Sequence, residues 1–237
     1  MEYAGKSLID SYSSKVEEHW FTMFSPIIKY LGNLKGKKVL DIGCGSGELA
    51  YVLANKASTV IGADHSDDWI KRCNSKYKKN NLQFIKSDAT NLSELEDCSF
   101  DIIIMNMVIL DIDELSKVQK VFGEINRLLK KGGDFIFSDL HPICMMTKKA
   151  GNRKQTYSKD FSYFKDGSKF TAGVNLPDGR KIEFKDAHWT LELYTIELEK
   201  NSMYLKRIIE SNYPKDAPKK FIRYPFPEYI IFCCKKF

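Results

Sequence analysis

The sequence predicts an α/β protein: a doubly wound, seven-stranded, mostly parallel sheet with an antiparallel last strand and helices on both faces. Three observations predict it. Short apolar, β-branched runs alternate with amphipathic stretches from about residue 38 to 140. A glycine-rich turn, Gly43-Cys44-Gly45-Ser46-Gly47, joins the first of these strands to a helix. The last two apolar runs, Tyr204–Glu210 and Glu228–Lys235, follow each other with no helix between them, which implies an antiparallel end to the sheet.

The first strand is carried by Val39, Leu40 and Ile42, with glycines on its carboxyl side and a helix expected from Glu48 to Lys56. A strand that breaks into glycines and opens a helix is a ligand-binding turn. Glycine reaches positive φ and lets a ligand approach the backbone, and the helix start points free N–H groups at it. The dinucleotide fingerprint G-x-G-x-x-G fails here, because Glu48 stands where its third glycine belongs. The phosphate-loop pattern fails too, since no Lys-Ser or Lys-Thr follows the glycines.

What stands here is Asp41-x-Gly43-x-Gly45-x-Gly47. It resembles motif I of the class I S-adenosylmethionine (SAM) methyltransferases. That family shares the predicted fold, and the resemblance covers roughly residues 35–142 well and the remainder loosely.

The elements follow in order. Residues 5–31 read as helix, with Trp20, Phe21, Phe24, Ile27, Ile28 and Leu31 at roughly helical spacing and an expected break at Ser25-Pro26. The second strand, Thr59–Asp64, ends in an acid about twenty residues past the glycine turn, where a carboxylate accepts from both ribose hydroxyls. Asp67 is expected to cap a helix running to Tyr77. Strand Leu82–Lys86 leads to Ser87-Asp88-Ala89, and the most apolar strand, 100–107, ends at Asn106-Met107. Asp111-Ile112-Asp113 is read as the cap of a helix from Glu114 to Lys130, stopped by Gly132-Gly133. The fifth strand, Asp134–Leu140, delivers His141-Pro142. Within 143–187 the turn Pro177-Asp178-Gly179 separates Lys169–Leu176 from Arg180–Lys185 and predicts a β-hairpin. His188-Trp189-Thr190 is read as the start of the last helix.

The resemblance implies site residues. Asp41, Gly43, Cys44, Gly45 and Gly47 would hold the cofactor at the turn. Asp64 and His65 would lie at the ribose, and Trp69, in the place of the family's usual Met, at the adenine face. Asp88 and Ala89 would read the adenine edge, while Asn106 and Met107 would line the space near the transferable methyl. Tyr12 and Trp20 in the N-terminal segment, with His19 as a further lid residue, and Tyr194 in the last helix are expected at the substrate. His141 and His188 are the candidate catalytic bases, since imidazole titrates near neutrality.

One domain is expected: an N-terminal helical lid (1–34), a SAM-binding core (35–142), an inserted cap (143–187) and a C-terminal helix with the final strands (188–237). The implied reaction is in-line methyl transfer to an O, N or C nucleophile of a small molecule, releasing S-adenosylhomocysteine, with no metal. Two alternatives stay open: a tRNA or rRNA methyltransferase, and a non-catalytic SAM- or NAD-binding module. The fourth strand lacks the Asn/Asp-Pro-Pro-Tyr/Phe ending of many base-methylating enzymes. A net charge of +6 permits a nucleic-acid partner without requiring one. Six scattered cysteines without C-x-x-C, and no evident signal peptide or membrane span, suggest reduced thiols and a cytoplasmic monomer or homodimer.

Overall fold

The computed structural model describes residues 16–147, 149–150, 153–175, 181–214, 217–218 and 225–237. Its principal sheet has seven strands: β1 (Lys38–Ile42), β2 (Thr59–Asp64), β3 (Leu82–Lys86), β4 (Phe100–Asn106), β5 (Leu129–Leu140), β10 (Met203–Ser211) and β11 (Tyr229–Lys236). Their spatial order is β10-β11-β5-β4-β1-β2-β3. Neighbours from β3 through β5 are parallel, and β11 runs antiparallel between β5 and β10. The strand order reverses between β1 and β4, and an open α/β sheet binds its ligand beyond the carboxyl ends of such a pair.

The apolar run of β4 is explained by burial on both faces. Ile103 and Met105 join one core with the helix Leu115–Leu128, whose Val118, Val121, Phe122, Ile125 and Leu128 recur at helical spacing and are fully buried. Ile102 and Ile104 join the opposite core with the helices Ser25–Leu31, Glu48–Leu53 and Asp67–Lys76. Each fully buried aliphatic side chain contributes roughly 1.5–3 kcal/mol, so this central strand anchors both layers. In chain order the helices are α1 (Val16–His19), α2 (Ser25–Leu31), α3 (Glu48–Leu53), α4 (Asp67–Lys76), α5 (Leu115–Leu128), α6 (Pro142–Met146) and α7 (Leu191–Lys200).

Several local expectations are corrected. The chain does not break at Ser25-Pro26. α1 passes through a π-helical turn (Trp20–Phe24) into α2, and Phe24 and Ser25 keep helical dihedrals. Pro26 lies just past the π-helical turn, so the backbone donor it lacks is missing from inside a continuous helical run. Ser66, not Asp67, caps α4: its hydroxyl accepts from Trp69 N–H, and Asp67 falls in the first turn. α3 ends at Leu53 rather than Lys56. α5 starts at Leu115 with no side-chain cap from Asp111 or Asp113, and β5 already begins at Leu129.

The insertion forms a second, antiparallel sheet in the order β6 (Lys149–Ala150), β7 (Arg153–Tyr157), β8 (Ser168–Asn175) and β9 (Lys181–His188). β8 and β9 are the predicted hairpin, and the tip 176–180 lies outside the described residues. β9 runs on to His188, so this histidine ends a strand rather than starting a helix. Thr190 is the α7 cap, accepting from Leu193 N–H at 3.1 Å. Two hydrogen bonds tie the second sheet to the loop after β4: Trp189 Nε1–H donates to Ile109 O at 3.1 Å, and Lys169 Nζ to Asp113 O at 2.9 Å. A third core fills the space between the sheets, with Met23, Leu140, Met145, Phe170, Ala172 and Tyr229.

Candidate active site

The chain leaves β1 into the glycine turn with positive φ at Gly43, Gly45 and Gly47. At Gly43 the requirement is also steric: a Cβ there would sit 2.3 Å from Val108 Cγ2. The turn is tied to the end of β2. Asp64 Oδ2 accepts from Gly45 N–H and Oδ1 from Ser66 N–H, both at 2.9 Å. Each carboxylate oxygen has a second lone pair, so Asp64 can still accept from a diol. Below the turn, Cys73 Sγ donates to Gly45 O at 3.1 Å. The Cys44 thiol is held well above its ordinary pKa by its hydrogen bond with Cys73, by burial and by the charges of Asp41 and Asp64, so it stays a small neutral side chain. Burial, and then the nearby Asp64 charge, push Asp41 up to about 7.

A cavity of about 360 Å³ opens at the carboxyl edge between β1 and β4. Gly43, Gly45, Asp64, His65, Trp69, Asp88 and Ala89 line it, as do Asn106 and Met107. Burial alone would raise Asp88, but hydrogen bonds from Thr90 N–H and Oγ1–H, both at 2.8 Å, and the charges of His65 and Lys117 outweigh it and hold the carboxyl low. Asn106 Oδ1 accepts from Ser138 Oγ at 3.0 Å, and Met107 takes a positive φ of 55° as the strand turns away. A smaller adjoining space of about 50 Å³ is lined by Asp41, Cys44 and Leu49, and shares His19, Gly43, Gly45, Asn106 and Met107 with the larger one.

Other sequence-derived candidates lie elsewhere. Gly47 is the N-cap of α3, where a Cβ would meet Cys73 Sγ at 2.7 Å. Trp20, His141, His188 and Tyr194 line neither cavity, and Tyr12 lies outside the described residues. His141 Nδ1 accepts from Ile143 N–H at 3.0 Å, which leaves Nε2–H to donate to Glu210 Oε1 at 3.1 Å. His188 Nε2–H donates to Tyr163 O at 2.8 Å, and burial lowers its pKa. The Tyr194 hydroxyl donates to Asp139, and the ring is buried.

The structure adds residues that the sequence reading missed. Val108, Leu110, Ile112, Asp111, Asp113 and Lys117 form one wall, and Phe184 and Asp186 of β9 close another. The wall after β4 has no glycine or polar signature and reads as core. β9 carried a usable signal, since Phe184, Asp186 and His188 alternate along one face.

A family model described as a methyltransferase domain matches residues 33–201. This chain belongs to the methyltransferase domain family. The chain is 33% identical over 129 residues to a protein of Geobacillus sp. (strain WCH70) that carries a methyltransferase name, covering 54% of this chain and 51% of that one. It is 32% identical over 113 residues to the fatty-acid O-methyltransferase of Mycolicibacterium smegmatis, covering 46% and 39%. The matches thus span about half or less of the length of these curated relatives. In fold, the chain resembles a SAM-dependent methyltransferase structure from Clostridium acetobutylicum, with TM-score 0.65, 18% identity, and 91% and 90% of the two chains covered. None of the six cysteines forms a disulfide. Among the described residues no group of three or more His, Cys, Asp and Glu is placed to hold a metal ion, and no helix is long and apolar enough to cross a membrane.

Proposed function

We propose that this methyltransferase uses SAM to methylate a small molecule. The observation that carries the reading is one cavity with two unlike sets of walls. In one set Asp64, Trp69 and Asp88 stand beside the glycine turn. They fit a nucleoside: a carboxylate with spare lone pairs for a diol, a buried indole edge for a base, and an acid beside the backbone of Ala89 for a base edge. The open backbone at Gly45 fits the approach of the remainder. Phe184 and Asp186 of the second sheet line the same cavity, and we read this sheet as a cap that shapes a compact acceptor space.

SAM supplies, when bound, an electrophilic methyl on a sulfonium. The protein's work is then to orient and to exclude water. Asn106 and Met107 line both cavities, and we read them as shaping the space near the transferred methyl. His141 and His188 are retained as bases for an acceptor that must lose a proton before attack, and their variants are the test of that role.

SAM with a labelled methyl group, incubated with the protein and separated metabolite, RNA and protein fractions of cells, tests the reading. Label is expected in the metabolite fraction. Label confined to RNA overturns it.

A further inference from the structure

We propose that the Asn106 carboxamide binds the methyl acceptor and that the atom methylated is a hydroxyl oxygen. The inference rests on the methyl-transfer reading above and narrows the O, N or C nucleophile to oxygen. Asn106 ends β4, where the strand order reverses, and it lines both cavities. Its Nδ2 is buried and has no hydrogen-bond partner among the described residues. A buried donor left unmet costs about 1–3 kcal/mol, and native structures rarely keep one without a use. A donor that the protein leaves unmet beside a binding cavity is met by what the cavity binds.

The other half of the carboxamide is fixed. Ser138 lies opposite Asn106 on β5 and is fully buried. Its hydroxyl donates to Asn106 Oδ1 at 3.0 Å, and its carbonyl accepts from Met107 N–H at 3.1 Å. Turning the amide over would set Nδ2 against Ser138 Oγ. The single hydroxyl proton of Ser138 would then have only the Met23 thioether, 3.4 Å away and a weak acceptor. The oxygen of Asn106 is thus committed to the sheet, and its two N–H bonds are left for a ligand.

The sulfonium and its methyl offer no acceptor for these N–H bonds, whereas a nucleophile does, and its lone pairs separate the classes. A neutral amine has one lone pair, which cannot both accept from Asn106 and attack the methyl. A carbon nucleophile brings no acceptor of its own. A hydroxyl oxygen has two lone pairs, one for each task. A carboxylate also has pairs to spare, but it would enter a cavity lined by five aspartates. Lys117 is the one lysine or arginine among the lining residues, and Glu114 already holds it at 2.7 Å. A neutral hydroxyl enters without that repulsion. In the step itself, one oxygen lone pair forms the new O–C bond. The methyl's bond to sulfur breaks with its electrons left on sulfur, and the hydroxyl proton passes to water. The Asn106 N–H holds the other lone pair and stabilises the oxygen as that proton leaves.

The test reads the chemistry of the label left by labelled SAM in the metabolite fraction. Mild alkali frees methyl esters as methanol. Hydriodic acid then frees methyl ethers as methyl iodide and leaves N-methyl and C-methyl groups in place. The label is expected to survive alkali and to leave as methyl iodide. Label lost to alkali, or retained through hydriodic acid, overturns the inference and leaves small-molecule methylation standing. Label only in RNA, or in no fraction, removes the parent reading and the inference with it. Asn106→Asp keeps the size of the side chain and the oxygen for Ser138, and replaces the donor by an acceptor. Transfer to the labelled acceptor is expected to fall about 100-fold in this variant. Its S-adenosylhomocysteine affinity, by calorimetry, is expected to stay within about threefold of wild type. Unchanged transfer overturns the inference. So does an equal loss of S-adenosylhomocysteine affinity, which would assign the donor to the cofactor. Ser138→Ala, buried behind the amide, is expected to lower transfer about tenfold by freeing the amide to turn. If Asn106→Asp does not fold, the fate of the label decides the acceptor class and Ser138→Ala decides the residue.

Discussion

Asp64 reaches back 19 residues to accept the Gly45 N–H at 2.9 Å, so the end of β2 sets the shape of the turn that follows β1. The same carboxylate receives Ser66 N–H on its other oxygen. A residue expected to bind a ribose is thus also a structural member of the turn.

Asp64→Ala should therefore lose more than its ribose contacts. Two hydrogen bonds to a charged acceptor are worth roughly 1.5–3 kcal/mol each, so SAM affinity should fall at least about 100-fold. Asp64→Asn, which keeps one acceptor, should fall between. Calorimetric titration with SAM checks both, and wild-type affinity in Asp64→Ala would contradict the assignment.

Gly43→Ala should destabilise the fold and weaken SAM binding, because its Cβ would strike Val108 at a residue with φ of 66°. Adding Val108→Ala removes the clash but leaves the left-handed strain of about 1–2 kcal/mol. The double variant should recover part of the lost melting temperature and no more. Thermal melts of the two single variants and the double variant decide it.

Asp41 should make stability pH-dependent. Its carboxyl is raised from 3.8 to about 7 in the fold. Between those values the native state keeps a proton that the unfolded chain has lost. Stability therefore falls as pH rises through that window, and the cost is complete above about pH 7. Asp41→Asn should match wild type near the acid end and exceed it above neutrality by up to about 4 kcal/mol. Urea melts across the range measure the difference.

His188 should act with the opposite sign. Burial lowers its pKa below 6.5, against the hydrogen bond to Tyr163 O and the Asp166 charge. The unfolded chain gains a proton first on acidification, so stability is lost as pH falls below about 6.5. His188→Gln should flatten that slope. With an acceptor that need lose no proton before attack, transfer per folded molecule should stay within about threefold of wild type in His188→Gln and in His141→Ala, since neither side chain lines the cavity. A loss of about 100-fold with SAM affinity intact would establish either histidine as a base.

The principal sheet was legible because its signals are local. The apolar run of β4, the glycine turn and the Asp64 spacing each report a backbone requirement that few residues meet. The π-helical turn was not legible, since Ser25-Pro26 is equally compatible with a break and with the first turn of a new helix. The wall from Val108 to Asp113 was hidden because Val108, Ile109 and Leu110 look like core, and two of them line the cavity instead. Asp186 was missed because the hairpin was ended at Lys185. One more strand residue places the next acid on the buried face. Tyr194 shows the reverse: an aromatic on an amphipathic helix was expected at the substrate, and its ring is packed against Phe137 and Phe232.

The Tyr194–Asp139 hydrogen bond joins the residue just before the inserted sheet's point of departure to the helix just after its return. Everything between is a detour whose entrance and exit are fastened together. The detour is also held from its side, by the core that Phe170 and Ala172 share with Met23, Leu140 and Tyr229. Exchanging 141–189 between relatives would therefore have to carry that shared core with it.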